Sequence, residues 1–294
     1  MTYYPSTYNH LGLDSGVNVS YIAAGSTAKP TVLLLHGFPS SSNQYRNLIT
    51  LLAVSYHVIA PDLPGYGFTT TPAGFVHNFE NLTKVIGSFL EALKVTSYAV
   101  YIFDYGAPVA IRLALKDPKP IKAIVSQNGN AYVEGFGHPF WTPVEALWDS
   151  GNAQANRDAI AKAVLTPEAT KWQYTEGFPT KDLPLVNPVA YTLDYHENLE
   201  TPEQKEVQLD LLYDYRTNIP LYAPFQKYLR ESKVPVLAIW GKGDKIFVPP
   251  GAEAFKRDAK DAIVKFVDAG HFALETKVQE IGNEILHFLK KVKF

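Results

Sequence analysis

Six short apolar runs, each ending in a polar or glycine-rich turn, constrain the fold of this chain more than any other feature. Such runs, without alternating polar positions, are typical of strands buried on both faces of a parallel sheet. Helical patterns lie between many of them, and the clearest, 78–93, repeats apolar residues at steps of three and four. The alternation predicts an α/β fold with a mostly parallel central sheet flanked by helices. The predicted strands are 31–35, 57–60, 99–103, 123–126, 236–240 and 263–267.

The segment 131–230 interrupts this alternation. It is rich in aromatic residues and prolines, reads as mainly helical and offers no convincing strand. The strand–helix pattern resumes near residue 236. We therefore predict a core domain formed by 1–130 and 231–294, with a helical cap of 131–230 inserted between strands. In an open α/β sheet ligands bind at the carboxyl ends of the strands, so the cap is expected to cover that edge.

Composition and charge narrow the class of protein. The 294 residues are 46% hydrophobic and 19% charged, with a formal net charge of −2 and no cysteine. These values indicate a globular protein with a sizeable core and give no electrostatic reason to expect a nucleic acid or membrane partner. The first residues lack the features of a signal peptide, so we expect a cytoplasmic protein. The oligomeric state, monomer or homodimer, stays open.

An aspartate stands at a corner where enzymes often carry a serine. The stretch "YIFDYG" ends a predicted strand, and Asp104 lies where the following helix should begin. A nucleophile on such a tight turn needs small residues two positions before and after it. Gly106 satisfies the second position, whereas Ile102 is larger than the usual glycine at the first. Taken alone, Asp104 is equally interpretable as a helix cap.

Two further residues favour a catalytic interpretation. Asp244 follows the strand 236–240, and His271 follows the strand 263–267. The order along the chain is nucleophile, acid and histidine, with each residue at the carboxyl end of a strand. We therefore predict a catalytic triad of Asp104, Asp244 and His271.

Several motifs together resemble the epoxide-hydrolase and haloalkane-dehalogenase branch of the α/β-hydrolase superfamily. They are "HGFP", "PDLPGYG", "FDYGAPV", "WGKGD" and "GHFALE", and the resemblance covers nearly the whole chain, least firmly in the cap. "YIFDYG" and "QNGNAY" are similar to stretches of yeast and bacterial epoxide-hydrolase-like proteins. The resemblance implies the α/β-hydrolase fold. It also implies an oxyanion hole made of the backbone N–H groups of Phe38 and Tyr105. His36, in the same loop as Phe38, reads as a structural histidine.

A carboxylate nucleophile suits displacement at saturated carbon, because it forms an alkyl ester of the enzyme. A histidine then activates water to hydrolyse that ester, while a second carboxylate orients the histidine. In these roles Asp104 attacks, His271 is the base and Asp244 orients it. The reaction needs no cofactor, and neither a metal-ligand cluster nor a nucleotide-binding motif is visible. The expected partner is a small apolar organic substrate, an epoxide or a halide.

The leaving group separates the two branches of the family. The resemblance implies that epoxide hydrolases protonate the epoxide oxygen with cap tyrosines, whereas haloalkane dehalogenases hold the halide with N–H donors. Here Tyr105 follows the nucleophile in place of tryptophan, and the first loop reads "HGFP", not "HGNP". Both differences favour an epoxide. The candidate substrate-binding residues in the cap are Tyr174, Tyr215 and Tyr222, with Trp172 as a possible N–H donor to a halide.

Three alternatives remain open at this stage. The same triad serves a haloalkane or haloacid dehalogenase, and the fold also suits a non-catalytic ligand-binding protein. An esterase is disfavoured because no serine stands at the corner. The sequence leaves the natural substrate and the enantiopreference undetermined.

Overall fold

The computed structural model describes residues 4–294, which form one eight-stranded sheet with helices on both faces. All six predicted strands are confirmed, and they run parallel to one another. The strands are β1 (Thr7–Gly12), β2 (Asn18–Ala24), β3 (Thr31–Leu35), β4 (His57–Pro61), β5 (Tyr98–Ile102), β6 (Ile121–Gln127), β7 (Val236–Gly241) and β8 (Ile263–Val267). Their spatial order is β1-β2-β4-β3-β5-β6-β7-β8.

Two strands are absent from the sequence prediction. β1 and β2 pair antiparallel with each other, and β2 pairs antiparallel with β4 at one end of the sheet. Neither is a continuous apolar run, because β1 is largely exposed and β2 alternates between buried and half-buried residues. Antiparallel strands often face water on one side, so they lack the apolar run by which the parallel strands were recognised.

Eleven α-helices accompany the strands within the described residues. They are α1 (Arg46–Leu52), α2 (Phe79–Ala92), α3 (Gly106–Lys116), α4 (Thr142–Asp149), α5 (Gln154–Val164), α6 (Pro167–Thr175), α7 (Pro188–Asn198), α8 (Pro202–Asp214), α9 (Ile219–Ser232), α10 (Pro250–Asp258) and α11 (Leu274–Lys291). The predicted amphipathic helix is confirmed as α2. It begins after Asn78, whose side chain accepts a hydrogen bond from the Asn81 N–H at 2.8 Å.

Successive residues of the central strands point to opposite faces and feed two apolar cores. In β3, Leu33 and Leu35 pack with α2 and α3 in one core. Val32 and Leu34 pack in the other core, with α1 and α11. The sheet is therefore buried on both faces, and its strand-end loops are held from both sides.

The segment between β6 and β7 contains α4 to α9 and, among the described residues, no strand. Its last helix, α9, packs against α3 and α10, two of the helices that flank the sheet. It ends at Ser232, past the predicted boundary at residue 230. The division into core and cap stays a prediction. Within residues 4–294, none of the helices combines the length and apolarity needed to cross a lipid bilayer.

Candidate active site

The corner between β5 and α3 holds Asp104 in a strained backbone conformation. Its φ is +44°, in the left-handed region that few residues other than glycine adopt. The turn passes so close to β3 that a Cβ on Gly106 would lie 2.1 Å from the Leu35 carbonyl oxygen. Glycine is therefore required at that position. Helix α3 has no side-chain cap, so the structure does not use Asp104 as the helix cap that the sequence allowed.

The bulky residue before the corner is accommodated by a neighbouring turn. Ile102 faces Gly129, which lies just after β6. A Cβ on Gly129 would stand 2.7 Å from the Ile102 carbonyl oxygen and 3.0 Å from its Cγ1 atom. The space normally made by a small residue before the nucleophile is made here by a glycine on the adjacent strand end.

The Asp104 carboxylate is held by the loop after β3. The Phe38 N–H donates to Asp104 Oδ1 at 2.6 Å. The Tyr105 N–H also lies near the carboxylate and stabilises its charge. Gly37 allows this approach, because a Cβ there would stand 2.2 Å from Asp104 Oδ1. The two backbone donors assigned from the sequence thus lie together at Asp104.

The pKa of Asp104 is raised from its ordinary value to about 6. Burial is the largest cause, since the side chain is excluded from water and the charged form is disfavoured. The charge of His271 and the two N–H groups partly offset this effect, and Asp244 adds to it. Asp104 is therefore ionised in neutral solution but is a stronger base than an exposed aspartate.

His271 lies between the two carboxylates. Its Nδ1 is 2.8 Å from Asp244 Oδ2, and its Nε2 is 3.9 Å from Asp104 Oδ2. Because Asp244 can only accept, the proton sits on Nδ1 and Nε2 carries the free lone pair. Nε2 is buried and has no hydrogen-bond partner among residues 4–294. This tautomer directs the basic nitrogen toward Asp104.

Burial and the neighbouring carboxylates shift the pKa of His271 in opposite directions. Burial lowers the pKa of the imidazole, but Asp244 and, to a lesser degree, Asp104 outweigh it, and the pKa is raised above its ordinary value. Asp244 is itself anchored, because its Oδ1 accepts from the N–H groups of Ile246 at 2.7 Å and Phe247 at 3.2 Å. The predicted triad residues thus lie in hydrogen-bonding or near-contact geometry.

His36 forms no part of this arrangement. Its Nε2 accepts from the Leu63 N–H at 2.9 Å, and its Nδ1 lies 3.2 Å from the Gly37 carbonyl oxygen. Burial lowers the pKa of the imidazole to about 4, although Asp62 opposes the shift. A neutral histidine tied to two backbone groups fixes the loop that carries Phe38.

Two of the predicted cap tyrosines face the site. The hydroxyls of Tyr215 and Tyr222 are 3.2 Å apart and buried. The ring of Tyr215 lies 5.8 Å from that of Tyr105 and 4.7 Å from that of Trp141. Burial is the largest cause that raises the pKa of both hydroxyls, and the charge of Asp104 adds to it. The interaction between the two hydroxyls raises the pKa of Tyr215, whereas their hydrogen bond lowers that of Tyr222, and both stay protonated near neutral pH.

The other two predicted cap residues point elsewhere. Tyr174 stacks on Phe272 at 3.8 Å and donates its hydroxyl to Asp194, in the apolar core on the opposite side of the sheet from Tyr215. Trp172 is 37% exposed and stacks on Phe140. The sequence spacing could not distinguish these residues from Tyr215 and Tyr222, because the register of each cap helix decides which side chain turns inward.

Two further side chains, which no sequence pattern singled out, contact the triad. Asn128 donates to Asp244 Oδ2, and Gln127 donates to the His271 carbonyl oxygen at 3.2 Å. Both residues lie in the stretch "QNGNAY", to which the family resemblance assigns no role. Among residues 4–294, no group of three or more potential ligands is arranged to hold a metal ion.

Comparisons with known proteins agree with this fold. The family model described as alpha/beta hydrolase fold matches residues 30–278. An uncharacterized hydrolase of Saccharomyces cerevisiae is 46% identical over 283 residues, covering 95% of this chain and 96% of that protein. A haloalkane dehalogenase of Mesorhizobium japonicum is 28% identical over 295 residues, covering 95% of this chain and 90% of that protein.

A solved structure shows the same architecture at lower identity. An epoxide hydrolase crystallised without ligand superimposes with a TM-score of 0.78 at 21% identity, covering 98% of this chain and 100% of that one. The family match, the extent of the relatives and the sheet order lead to one conclusion: the chain belongs to the alpha/beta hydrolase fold family.

Proposed function

We propose that this protein is an epoxide hydrolase that converts epoxides to vicinal diols through a covalent ester of Asp104. The proposal rests on the pair of buried hydroxyls of Tyr215 and Tyr222, which are 3.2 Å apart. Both lie close enough to Asp104 for its charge to raise their pKa values. An acid opposite a carboxylate nucleophile is what epoxide opening requires, because the leaving oxygen stays on the substrate and must take up a proton.

In the first step, Asp104 Oδ2 attacks a ring carbon of the epoxide and the bond from that carbon to the ring oxygen breaks. One tyrosine hydroxyl gives its proton to the departing oxygen, and the other donates a hydrogen bond. Oδ1 remains on the Phe38 N–H, so the orientation of the carboxylate is set before attack. Because the raised pKa values keep both hydroxyls protonated, the acid is available at neutral pH.

In the second step, His271 Nε2 removes a proton from water, and the hydroxide attacks the ester carbonyl carbon of Asp104. The negative charge develops on the oxygen beside the N–H groups of Phe38 and Tyr105, which stabilise it. When this intermediate collapses, the diol leaves with the former Oδ2 atom. Two protons are then available, one on His271 and one on the carboxyl group newly formed at Asp104. One passes to the departing diol oxygen and the other returns to the tyrosine, so Asp104 is again a carboxylate and His271 is neutral. Asp244 holds the imidazole in the required tautomer throughout.

The tryptophans argue against the dehalogenase alternative. The chain has four. The indole N–H groups of three, Trp141, Trp148 and Trp240, donate to backbone carbonyl oxygens at 2.9, 2.8 and 2.7 Å. The fourth, Trp172, is the half-exposed residue stacked on Phe140. A pair of indole N–H donors for a halide is therefore not assembled at Asp104.

A substrate panel tests the proposal directly. Purified protein is incubated with styrene oxide and 1,2-epoxyhexane, and separately with 1-bromobutane and bromoacetate, while diol and halide ion are measured by chromatography. The proposal predicts diol formation and no catalysed halide release. Halide release without diol would favour the dehalogenase.

The His271→Gln variant separates catalysis from simple ligand binding. The proposal predicts that this variant accumulates an ester of Asp104, visible as added substrate mass in intact-protein mass spectrometry, since attack precedes the step that needs His271. A ligand-binding protein would turn over none of the panel and would acquire no covalent mass.

A further inference from the structure

The turn that follows β6 brings a buried asparagine against the catalytic acid. Asn128 is fully buried and has a φ of +52°. Its Nδ2 donates to Asp244 Oδ2, the same oxygen that accepts from His271 Nδ1 at 2.8 Å. The other oxygen of Asp244 is occupied by backbone N–H groups of its own turn. Asn128 is thus the one side chain, besides His271, that hydrogen bonds to Asp244 in the described part of the chain.

The orientation of the Asn128 amide follows from its second contact. The Gly241 N–H approaches the opposite end of the amide at 3.1 Å. A backbone N–H can only donate, so the atom facing Gly241 is the oxygen and the atom facing Asp244 is the NH2 group. Asn128 therefore donates to the carboxylate rather than repelling it with its own oxygen.

A second amide closes the arrangement into a ring. The Gln127 NH2 group donates both to Asn128 Oδ1 and to the His271 carbonyl oxygen. The Tyr101 hydroxyl donates to Gln127 Oε1 at 2.8 Å and fixes that amide in turn. The backbone of His271 is thereby connected through Gln127, Asn128 and Asp244 to its own imidazole. Every one of these side chains is buried, so water does not compete for the hydrogen bonds.

We propose that Asn128 is a positioning residue that fixes the direction of the Asp244 carboxylate toward His271, and hence the direction of the histidine base. The proposal rests on the proposed function for the identity of the base. By occupying one side of Asp244 Oδ2, the Asn128 amide leaves the other side for the imidazole. Residues that orient a functional group in this way typically change activity about 10- to 100-fold when removed.

The charged groups that face His271 define what a titration should reveal. They are Asp244, from the turn after β7, and Asp104, from the corner after β5. The apolar rings of Phe103, Phe247 and Phe272 also pack around the imidazole. A new carboxyl group in place of the Asn128 amide would lie directly against Asp244 Oδ2. Two carboxyl groups in contact do not readily ionise together, so the new group keeps its proton and donates to Asp244 until it ionises at higher pH. Once ionised, it repels Asp244 and raises the pKa of His271.

Two variants and one control test the role. Asn128→Gly deletes the amide and still accommodates a positive φ. Asn128→Asp keeps the shape but can donate to Asp244 only while the new carboxyl group is protonated. Asn152→Gly is the matched control, because Asn152 has a φ of +71° and lies between α4 and α5 in the predicted cap. The His271 pKa is measured by NMR titration of its imidazole without substrate, and kcat and KM are measured with styrene oxide across pH.

Asn128→Gly is expected to lower kcat about tenfold with little change in KM. Asn128→Asp should support ester hydrolysis while the new carboxyl group is protonated and should lose kcat as that group ionises at higher pH, with a rise in the His271 pKa. Asn152→Gly should match the wild type. The proposal is overturned if both Asn128 variants keep the wild-type His271 titration and pH profile and lose only stability.

A measurement on the unaltered protein covers the case in which the variants do not fold. The side-chain NH2 protons of Asn128 should exchange slowly with solvent and should shift as His271 titrates. Fast exchange, or no response to that titration, contradicts the proposal. Both NMR readouts are free of substrate, so a failure of Asn128 to position Asp244 is distinguishable from a failure of the epoxide hydrolase assignment.

Discussion

The two cap hydroxyls offer the sharpest test of how the leaving group is stabilised. We consider Tyr215→Phe, Tyr222→Phe and the double variant. Each change removes one oxygen and keeps the ring, so the packing of Tyr215 on Trp141 at 4.7 Å is preserved. The hydroxyl that remains in each single variant loses its partner at 3.2 Å but can still donate to the substrate.

The expected magnitude follows from this geometry. A positioned general acid contributes about 10²- to 10⁴-fold to a rate. Because one donor survives in each single variant, we expect a loss near the lower limit, about 10²-fold. The double variant should approach about 10⁴-fold, or ~5 kcal/mol in activation free energy. The free energy of unfolding should fall by about 1–3 kcal/mol in Tyr222→Phe, because the buried Tyr215 hydroxyl is left unpaired. It should fall by less in Tyr215→Phe, because the Tyr222 hydroxyl keeps its hydrogen bond with Asn130.

The assay is rapid-quench mass spectrometry of the Asp104 ester, which separates its formation from its hydrolysis. Ester formation should slow by the factors given above, while the hydrolysis of ester already formed should change little. Tyr228→Phe is the matched control, since Tyr228 lies on the same helix as Tyr222 but packs on Phe225. A double variant that forms ester within about tenfold of the wild-type rate would refute the acid role.

Three further predictions follow from the site. Asp104→Asn should lower turnover by about 10⁴-fold or more, measured as diol formation. The same variant should be more stable above pH 7, by about 3 kcal/mol at most in chemical denaturation. The native pKa of about 6 exceeds the unfolded value, so native Asp104 contributes stability at low pH that is lost as pH rises through 6. An unchanged denaturation midpoint at pH 8 would contradict that burial penalty. In the wild type, kcat/KM should fall as pH drops below about 6, because Asp104 becomes protonated and loses its nucleophilic charge. A kcat/KM that stays constant down to about pH 4.5 would show that the reaction does not depend on ionised Asp104. Gly37→Ala should abolish ester formation, because the new Cβ would stand 2.2 Å from Asp104 Oδ1 and 2.4 Å from the Tyr105 nitrogen. Gly12→Ala is the control and should leave ester formation intact, because a Cβ there would have no atom within 4 Å.

The parallel part of the fold was predictable because burial on both faces forces continuous apolar runs, and these runs mark the strand ends where Asp104, Asp244 and His271 lie. The antiparallel strands β1 and β2 were not predicted, because β1 is largely exposed, β2 is only partly buried, and neither carries such a run. Ile102 is a different case. Its fit depends on Gly129 of the neighbouring strand end, a contact that no local pattern contains.

The cap was predictable as helical but not in its details. Tyr215 and Tyr174 were equal candidates, and helix packing alone turns one toward Asp104 and the other toward Asp194. Asn128 was missed for a related reason. Its contact with Asp244 spans 116 residues of sequence, and nothing in the stretch "QNGNAY" that contains it points to Asp244.

Oxygen transfer tests the central claim most directly. The enzyme is allowed one turnover of styrene oxide in water enriched in ¹⁸O, with enzyme in excess, and then repeated turnovers. If Asp104 forms the ester, the first diol carries unlabelled oxygen from Asp104, and the label appears in the peptide that contains Asp104. If the first diol is already labelled and Asp104 never acquires ¹⁸O, water attacks the epoxide directly and the covalent mechanism is wrong.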